Sequence, residues 1–274
     1  MVNEIPYINL DKGYKIHYLD EGKGDNLVFI HGFLGSSWIY EDLVEYFSNN
    51  YRVIAIDHLG HGKSDKPKSE AYELTDLTQF LEETLTKILG DEEIILHGHS
   101  MGGFIALLYA TNPLYAKRLK KLILMGTAPT LKNPGLVQYI EDLNAGRMKI
   151  IDREIIETIF INLCFNRKYQ RKNPELINEF VEKTLENTEY VGLKTMNSIV
   201  NNYNVEDKLS MIEIPTLILT GDKDVFILSS ESEKMHEKIP KSKLVIFSPK
   251  IGHMINYEAK DAYIEEMETF LSET

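Results

Sequence analysis

The stretch "GHSMGG", Gly98 to Gly103, places one serine between glycines where the apolar run "EIIL" ends and the apolar segment "FIALLYA" begins. A strand that passes directly into a helix at G-x-S-x-G makes a sharp turn. In that turn the serine takes a strained backbone, and the glycines remove side chains that would otherwise clash. Ser100 then stands above the C-terminal end of its strand, at the positive end of a helix, which is where a nucleophile belongs. The plainer use of a serine at a helix start is an N-cap. A strand before the motif and an apolar helix at once after it favour the nucleophile.

A serine hydroxyl attacks only when a base within hydrogen-bonding reach takes its proton. Of the eight histidines, His253 in "SPKIGHMINYE" follows the last apolar run, where a loop returns to the C-terminal edge of the sheet. His31 is better suited to shaping a loop, and His97 and His99, either side of Gly98, to packing beside the turn. His58 and His61, three apart in "DHLGHGKSD", would suit a metal only with a third ligand that their neighbourhood does not supply. The base in turn needs a carboxylate at its other nitrogen. "TLILTGDKDVFI" offers Asp222 and Asp224, and spacing favours Asp224 only slightly. For the negative oxygen that develops in acyl transfer, the backbone N–H groups of Phe33, in "FIHGFLGSS", and of Met101 are the natural pair of donors.

These residues need a scaffold that brings distant loops to one edge. The runs 26–30, 51–56, 93–96, 121–125, 215–221 and 243–248 are short, β-branched and apolar throughout, the pattern of parallel strands covered on both faces. Residues 5–10 and 14–20 form a hairpin around Gly13 at the sheet edge. Amphipathic helices alternate with the strands at 39–47, 74–89, 102–112, 229–239 and 259–271. The expected fold is α/β: a mostly parallel central sheet of about eight strands with helices on both faces. The alternation stops at 130–212, which reads as three or four helices without a strand and is too long for a plain connection. The expectation is a core of residues 1–129 and 213–274 carrying an inserted helical cap at 130–212.

The formal net charge is −12 and charged residues make up 26 % of the chain. That surface repels nucleic acid and anionic lipid, so neither is expected as a partner; a homodimer is compatible with it. The one cysteine, Cys164, forms no intramolecular disulfide. Without a basic-then-apolar leader or a run of roughly 18 to 20 apolar residues, a cytoplasmic protein with no membrane span is expected.

Five stretches together carry a family resemblance: "HGFLGSSWIYE", "DHLGHGKSD", "GHSMGG", "TGDKD" and "GHMINYE". The chain resembles the cap-carrying α/β-hydrolases, which include carboxylesterases, lactonases, monoacylglycerol lipases and C–C bond hydrolases. The resemblance implies Ser100 as nucleophile, His253 as base, Asp224 as its carboxylate, Phe33 and Met101 as the oxyanion hole, and no metal or organic cofactor. Haloalkane dehalogenases and epoxide hydrolases of that family carry aspartate at the elbow, whereas this chain has serine.

The leading expectation is hydrolysis of a small uncharged carboxylic ester through an acyl-enzyme. Ile155, Ile156, Ile159, Phe160 and Leu163 would give the cap an apolar stripe for the substrate, unless the same stripe packs the cap onto the core. A lactone is an alternative substrate. A C–C bond hydrolase or lyase acting on a carboxylate would need convergent arginines, for which Arg147, Arg153, Arg167 and Arg171 are the candidates. A non-catalytic, ligand-binding homologue is the third reading.

Overall fold

The computed structural model describes residues 6–131 and 134–273; Ile5, at the start of the expected hairpin, and Lys132 and Asn133, in the stretch leading to the cap, lie outside them. The described strands form one 8-stranded sheet in the order β1-β2-β4-β3-β5-β6-β7-β8. These are β1 (Tyr7–Asn9), β2 (Lys15–Gly22), β3 (Asn26–Ile30), β4 (Arg52–Ile56), β5 (Ile94–His99), β6 (Leu119–Met125), β7 (Thr216–Gly221) and β8 (Ser242–Phe247). β1 and β2 make the expected edge hairpin, with Gly13 at φ +82° in its turn. β2 then pairs antiparallel with β4, and all pairs from β4 to β8 are parallel. β3 lies inside β4, a crossing that the order of apolar runs along the chain does not reveal.

The near-continuous apolarity of the inner strands, β3 to β7, follows from burial on both faces; the expected coverage of the last run is not met, because β8 lies at the sheet edge and is only partly buried. Along β3, Leu27 and Phe29 join the core beneath α1 (Glu41–Phe47) and α12 (Lys260–Ser272), while Val28 and Ile30 join the opposite core, beneath α2 (Leu74–Leu89) and α3 (Met101–Ala110). α2 turns Leu74, Leu77, Leu81 and Leu85 inward at helical spacing, each burial contributing about 1.5–3 kcal/mol. α3 has no polar face: Met101, Phe104, Ile105, Leu107 and Tyr109 are all buried. It therefore sits rigidly under Ser100.

Between β6 and β7 the described residues contain helices and no strand of the sheet, as expected for an insert. There are more helices than the sequence suggests: α4 (Pro134–Asn144), α5 (Arg153–Ile155), a π-helical turn (Ile156–Phe160), α6 (Ile161–Cys164), α7 (Arg167–Lys172), α8 (Pro174–Leu185) and α9 (Glu189–Asn201). Local chemistry cuts the run into these pieces. Asp152 caps α5 by accepting the Ile155 N–H, Asn166 caps α7 by accepting those of Lys168 and Tyr169, and Pro174 opens α8. After β7, α10 (Ser229–Lys238) and α11 (Ile255–Glu258) precede α12. No helix among the described residues is long and apolar enough to cross a membrane.

Candidate active site

The expected site residues come from the C-terminal ends of separate strands. Ser100 is the junction between β5 and α3, at φ 54° and ψ −117°, a backbone that a residue with a side chain adopts only under constraint. The constraint is visible. The Ser100 N–H donates to the Met125 carbonyl at 2.9 Å, and its carbonyl accepts the Phe104 N–H at 3.1 Å and the Thr127 hydroxyl at 3.0 Å. The Ser100 side chain makes no capping hydrogen bond, so the plainer use of this serine is not the one the fold makes of it.

Glycine is required around the turn by proximity. A Cβ at Gly98 would lie 2.5 Å from the Gly102 carbonyl oxygen, and one at Gly102 would lie 2.3 Å from that of Ile30. Both obstacles are backbone and cannot swing away. Gly102→Ala is expected to cost about 3 kcal/mol or more, at the upper end of overpacking penalties, and to lower Tm by several degrees. Thermal unfolding by circular dichroism measures this, and an unchanged Tm would contradict the crowding.

His253, on the loop after β8, is buried, and its Nδ1 lies 2.7 Å from Asp224 Oδ2. Asp224, in the turn after β7, is equally buried and uses its other oxygen to accept the N–H groups of Phe226 at 2.9 Å and Ile227 at 2.8 Å. A carboxylate removed from water stays tolerable when both oxygens are occupied in this way. Asp222 does something different: its Oδ1 accepts the Ile251 N–H at 2.9 Å, fastening the strand end to the histidine loop. The two acids that spacing left as alternatives therefore make different contacts.

His99 lies with its ring centroid 4.7 Å from that of His253, and its Nε2 is 3.3 Å from the His253 carbonyl. Burial, and next the neighbouring His253, push the His99 imidazole well below the ordinary histidine range. It stays neutral and packs, as expected. His31 shapes its loop through Nδ1, 2.8 Å from the Gly32 carbonyl, and Nε2, which accepts the His58 N–H at 3.0 Å. His58 and His61 are buried beside it, and among the described residues no group of three His, Cys, Asp or Glu side chains could hold a metal.

Asp57 organises the loops behind the site, a role that no spacing in the sequence announces. It accepts N–H groups from Ser37 at 2.6 Å and Lys63 at 2.8 Å, and the His17 imidazole lies 2.8 Å away. Burial pushes its carboxyl up, but the His17 hydrogen bond, His31 and the Ser37 N–H outweigh that and hold it at about 2.

Ser100, His253 and Phe33 line one narrow void of about 20 Å³, together with Gly32, His99 and Cys164. That is room for about one water molecule. Met101 is the first residue of α3, directly after Ser100. A second, larger void of about 230 Å³ is apolar, lined by Leu34, Met148, Ile150, Ile155, Ile159 and Leu163 among others. Phe33, Phe160 and Phe226 line both voids. Of the apolar stripe expected on the insert, Ile155, Ile159, Phe160 and Leu163 face the larger void, whereas Ile156 is fully buried in the core.

The arginines that a carboxylate-bearing substrate would need do not converge on either void. Arg147 pairs with Asp142 at 2.6 Å, Arg153 with Glu157 and Glu182, and Arg171 donates to the Arg167 carbonyl.

A protein family described as "Serine aminopeptidase, S33" matches residues 23–260. The proline iminopeptidase of Saccharolobus solfataricus is 29 % identical over 306 residues, covering 97 % of this chain and 94 % of that protein. Lipase 1 of Psychrobacter immobilis is 29 % identical over 276 residues, covering 98 % of this chain and 84 % of the lipase. Among solved structures, an esterase (EaEST) from Exiguobacterium antarcticum is similar with a TM-score of 0.86 and 25 % identity, covering 97 % of this chain and 99 % of that one. With the sheet, the inserted helices and a family match over most of its length, the chain belongs to the α/β-hydrolases, a family of hydrolytic enzymes.

Proposed function

We propose that the chain is a serine-dependent carboxylic ester hydrolase that works through an acyl-enzyme on uncharged substrates. Ser100 Oγ attacks the carbonyl carbon as His253 Nε2 takes its proton, and Asp224 orients the imidazole and stabilises the imidazolium. The N–H groups of Phe33 and Met101 receive the developing oxyanion. The intermediate collapses, His253 protonates the departing alcohol, and water activated by the same imidazole releases the acid. Every proton that leaves Ser100 or water passes through His253, so no cofactor is needed. Residues 130–212 act as the cap over this site, between core segments 1–129 and 213–274.

The observation that carries the reading is the buried Asp224–His253 pair at 2.7 Å, with His253 lining the same void as a serine whose side chain does not cap its helix. The ester preference rests on the linings. Among the described residues, neither void is lined by an Asp, Glu, Lys or Arg side chain. The free ammonium of an aminopeptidase substrate or the carboxylate of an acidic one would lose its hydration there without a partner, at a cost of several kcal/mol. The relatives named lipase and esterase agree with this chemistry better than the iminopeptidase does. The net charge of −12 also repels anions, within a screening length of about 8–10 Å.

The size of the apolar void sets an expected acyl length. A dry cavity of about 150 Å³ accepts a six-carbon ring. By proportion, 230 Å³ has room for roughly nine carbons. Across straight-chain aryl esters from acetate to dodecanoate, kcat/KM is expected to rise by up to about 0.8 kcal/mol for each buried methylene and to level off near the octanoyl to decanoyl esters. A dicarboxylate half-ester should be a poor substrate. A maximum at acetate would contradict use of the apolar void, strong preference for the half-ester would favour C–C hydrolase or lyase chemistry, and preference for a lactone in the same series would keep Ser100 and change the substrate.

A further inference from the structure

The loop that carries His253 is laced to the insert, and one carboxylate receives donors from both sides. Glu258, the last residue of α11, accepts the Asn166 N–H on Oε1 at 2.9 Å and the Gly252 N–H on Oε2 at 3.1 Å; Oε2 also meets Asn166 Nδ2. Asn166 belongs to the insert, and Gly252 immediately precedes His253. Two further links run in parallel. Asn166 Nδ2 donates to the Lys250 carbonyl at 3.0 Å, and the Cys164 carbonyl, at the end of α6, accepts the N–H groups of His253 at 3.2 Å and Met254 at 3.1 Å.

The donors that meet at Glu258 call for a carboxylate. No cation lies within ion-pair distance of Glu258 among the described residues. Burial pushes its carboxyl above the ordinary range, and nearby Asp224 adds to this, against the downward pull of the Asn166 and Gly252 donors. A carboxylate offers acceptor sites on both oxygens and no donor, which matches three converging N–H groups; an amide or a protonated acid would turn a hydrogen against them.

We propose that Glu258 is a positioning residue: by clasping Asn166 of the insert to Gly252, it fixes the His253 imidazole against Ser100 and makes that placement depend on the docked insert. The role rests on the reading of His253 as the base. Glu258 touches neither Ser100 nor the void, so it acts through the loop.

The test uses the full-length protein with an octanoyl aryl ester, and in parallel the rate at which an aryl fluorophosphonate labels Ser100. Glu258→Gln preserves shape while presenting an NH2 group to the N–H donors. Asn166→Ala removes the side-chain donor of the insert and leaves the Gly252 link, so it serves if Glu258→Gln folds poorly. Glu258→Gln is expected to lower kcat by about 10- to 100-fold and to slow labelling in step, because small displacements of a catalytic group cost that much. KM should stay within about threefold, the pattern of an interaction felt in the transition state rather than in substrate binding. Asn166→Ala should show a smaller loss of the same kind. Unchanged kcat and labelling in a folded variant, or a rise in KM alone, would overturn the positioning role. Failure of the unaltered enzyme to label at Ser100 would instead overturn the ester-hydrolase reading beneath it.

Discussion

Ser100→Ala is expected to reduce kcat for an aryl octanoate by about 10⁴- to 10⁶-fold, because without the hydroxyl no acyl-enzyme forms and only the oxyanion donors and binding remain. The fold should survive. The side chain contributes no helix cap, and the contacts that hold the turn are made by the Ser100 backbone with Met125, Phe104 and Thr127, which alanine keeps. Tm is expected to move by no more than a few degrees, as for a change of about 1 kcal/mol or less. A folded Ser100→Ala protein that hydrolyses the ester at an undiminished rate would remove the acyl-enzyme from the account.

Asp224→Asn is expected to cost about 10³- to 10⁴-fold in kcat. The oxygen of the introduced amide could still accept the Phe226 and Ile227 N–H groups, but its NH2 turned toward His253 Nδ1 would stabilise the tautomer with its proton on Nε2, which cannot accept the serine proton. Asp222→Asn should cost less than about tenfold. Its Oδ1 accepts one N–H, from Ile251, and an asparagine oxygen can do the same. Steady-state kinetics on the two variants ranks them, and a larger loss at Asp222 would assign the carboxylate wrongly.

The parts of this site that are legible in the sequence are those fixed by local geometry. G-x-S-x-G is readable because a Cβ at Gly98 or Gly102 would stand 2.5 or 2.3 Å from backbone oxygen, so the turn tolerates few alternatives. The inner parallel strands β3 to β7 are readable because both faces are covered, which keeps most positions apolar, whereas β8, at the sheet edge, is apolar in sequence but only partly buried, with Ile246 exposed. Long-range contact is what the sequence does not display. Asp222 and Asp224 are both acids in one turn, and only the fold shows that one reaches a histidine loop amide and the other the imidazole. Asp57 and Glu258 stand at the ends of two stretches that carry the resemblance, yet nothing local in those stretches shows the donors that each gathers from segments far apart in the chain. The insert holds more helices than its apolar period suggests because single capping residues, Asp152 and Asn166, end and restart helices without changing that period. Arg147 and Arg153 of the insert are readable as charges, but not their pairing with acids away from the voids.

If acyl transfer passes through Ser100, the acyl-enzyme can be trapped there. The enzyme is mixed with aryl octanoate, quenched with acid during turnover, digested and analysed by mass spectrometry. An octanoyl group is expected on the peptide that contains Ser100, absent from Ser100→Ala. Continued hydrolysis with that peptide unmodified, or with the acyl group carried instead by the buried Cys164 that lines the same void, would contradict transfer through Ser100.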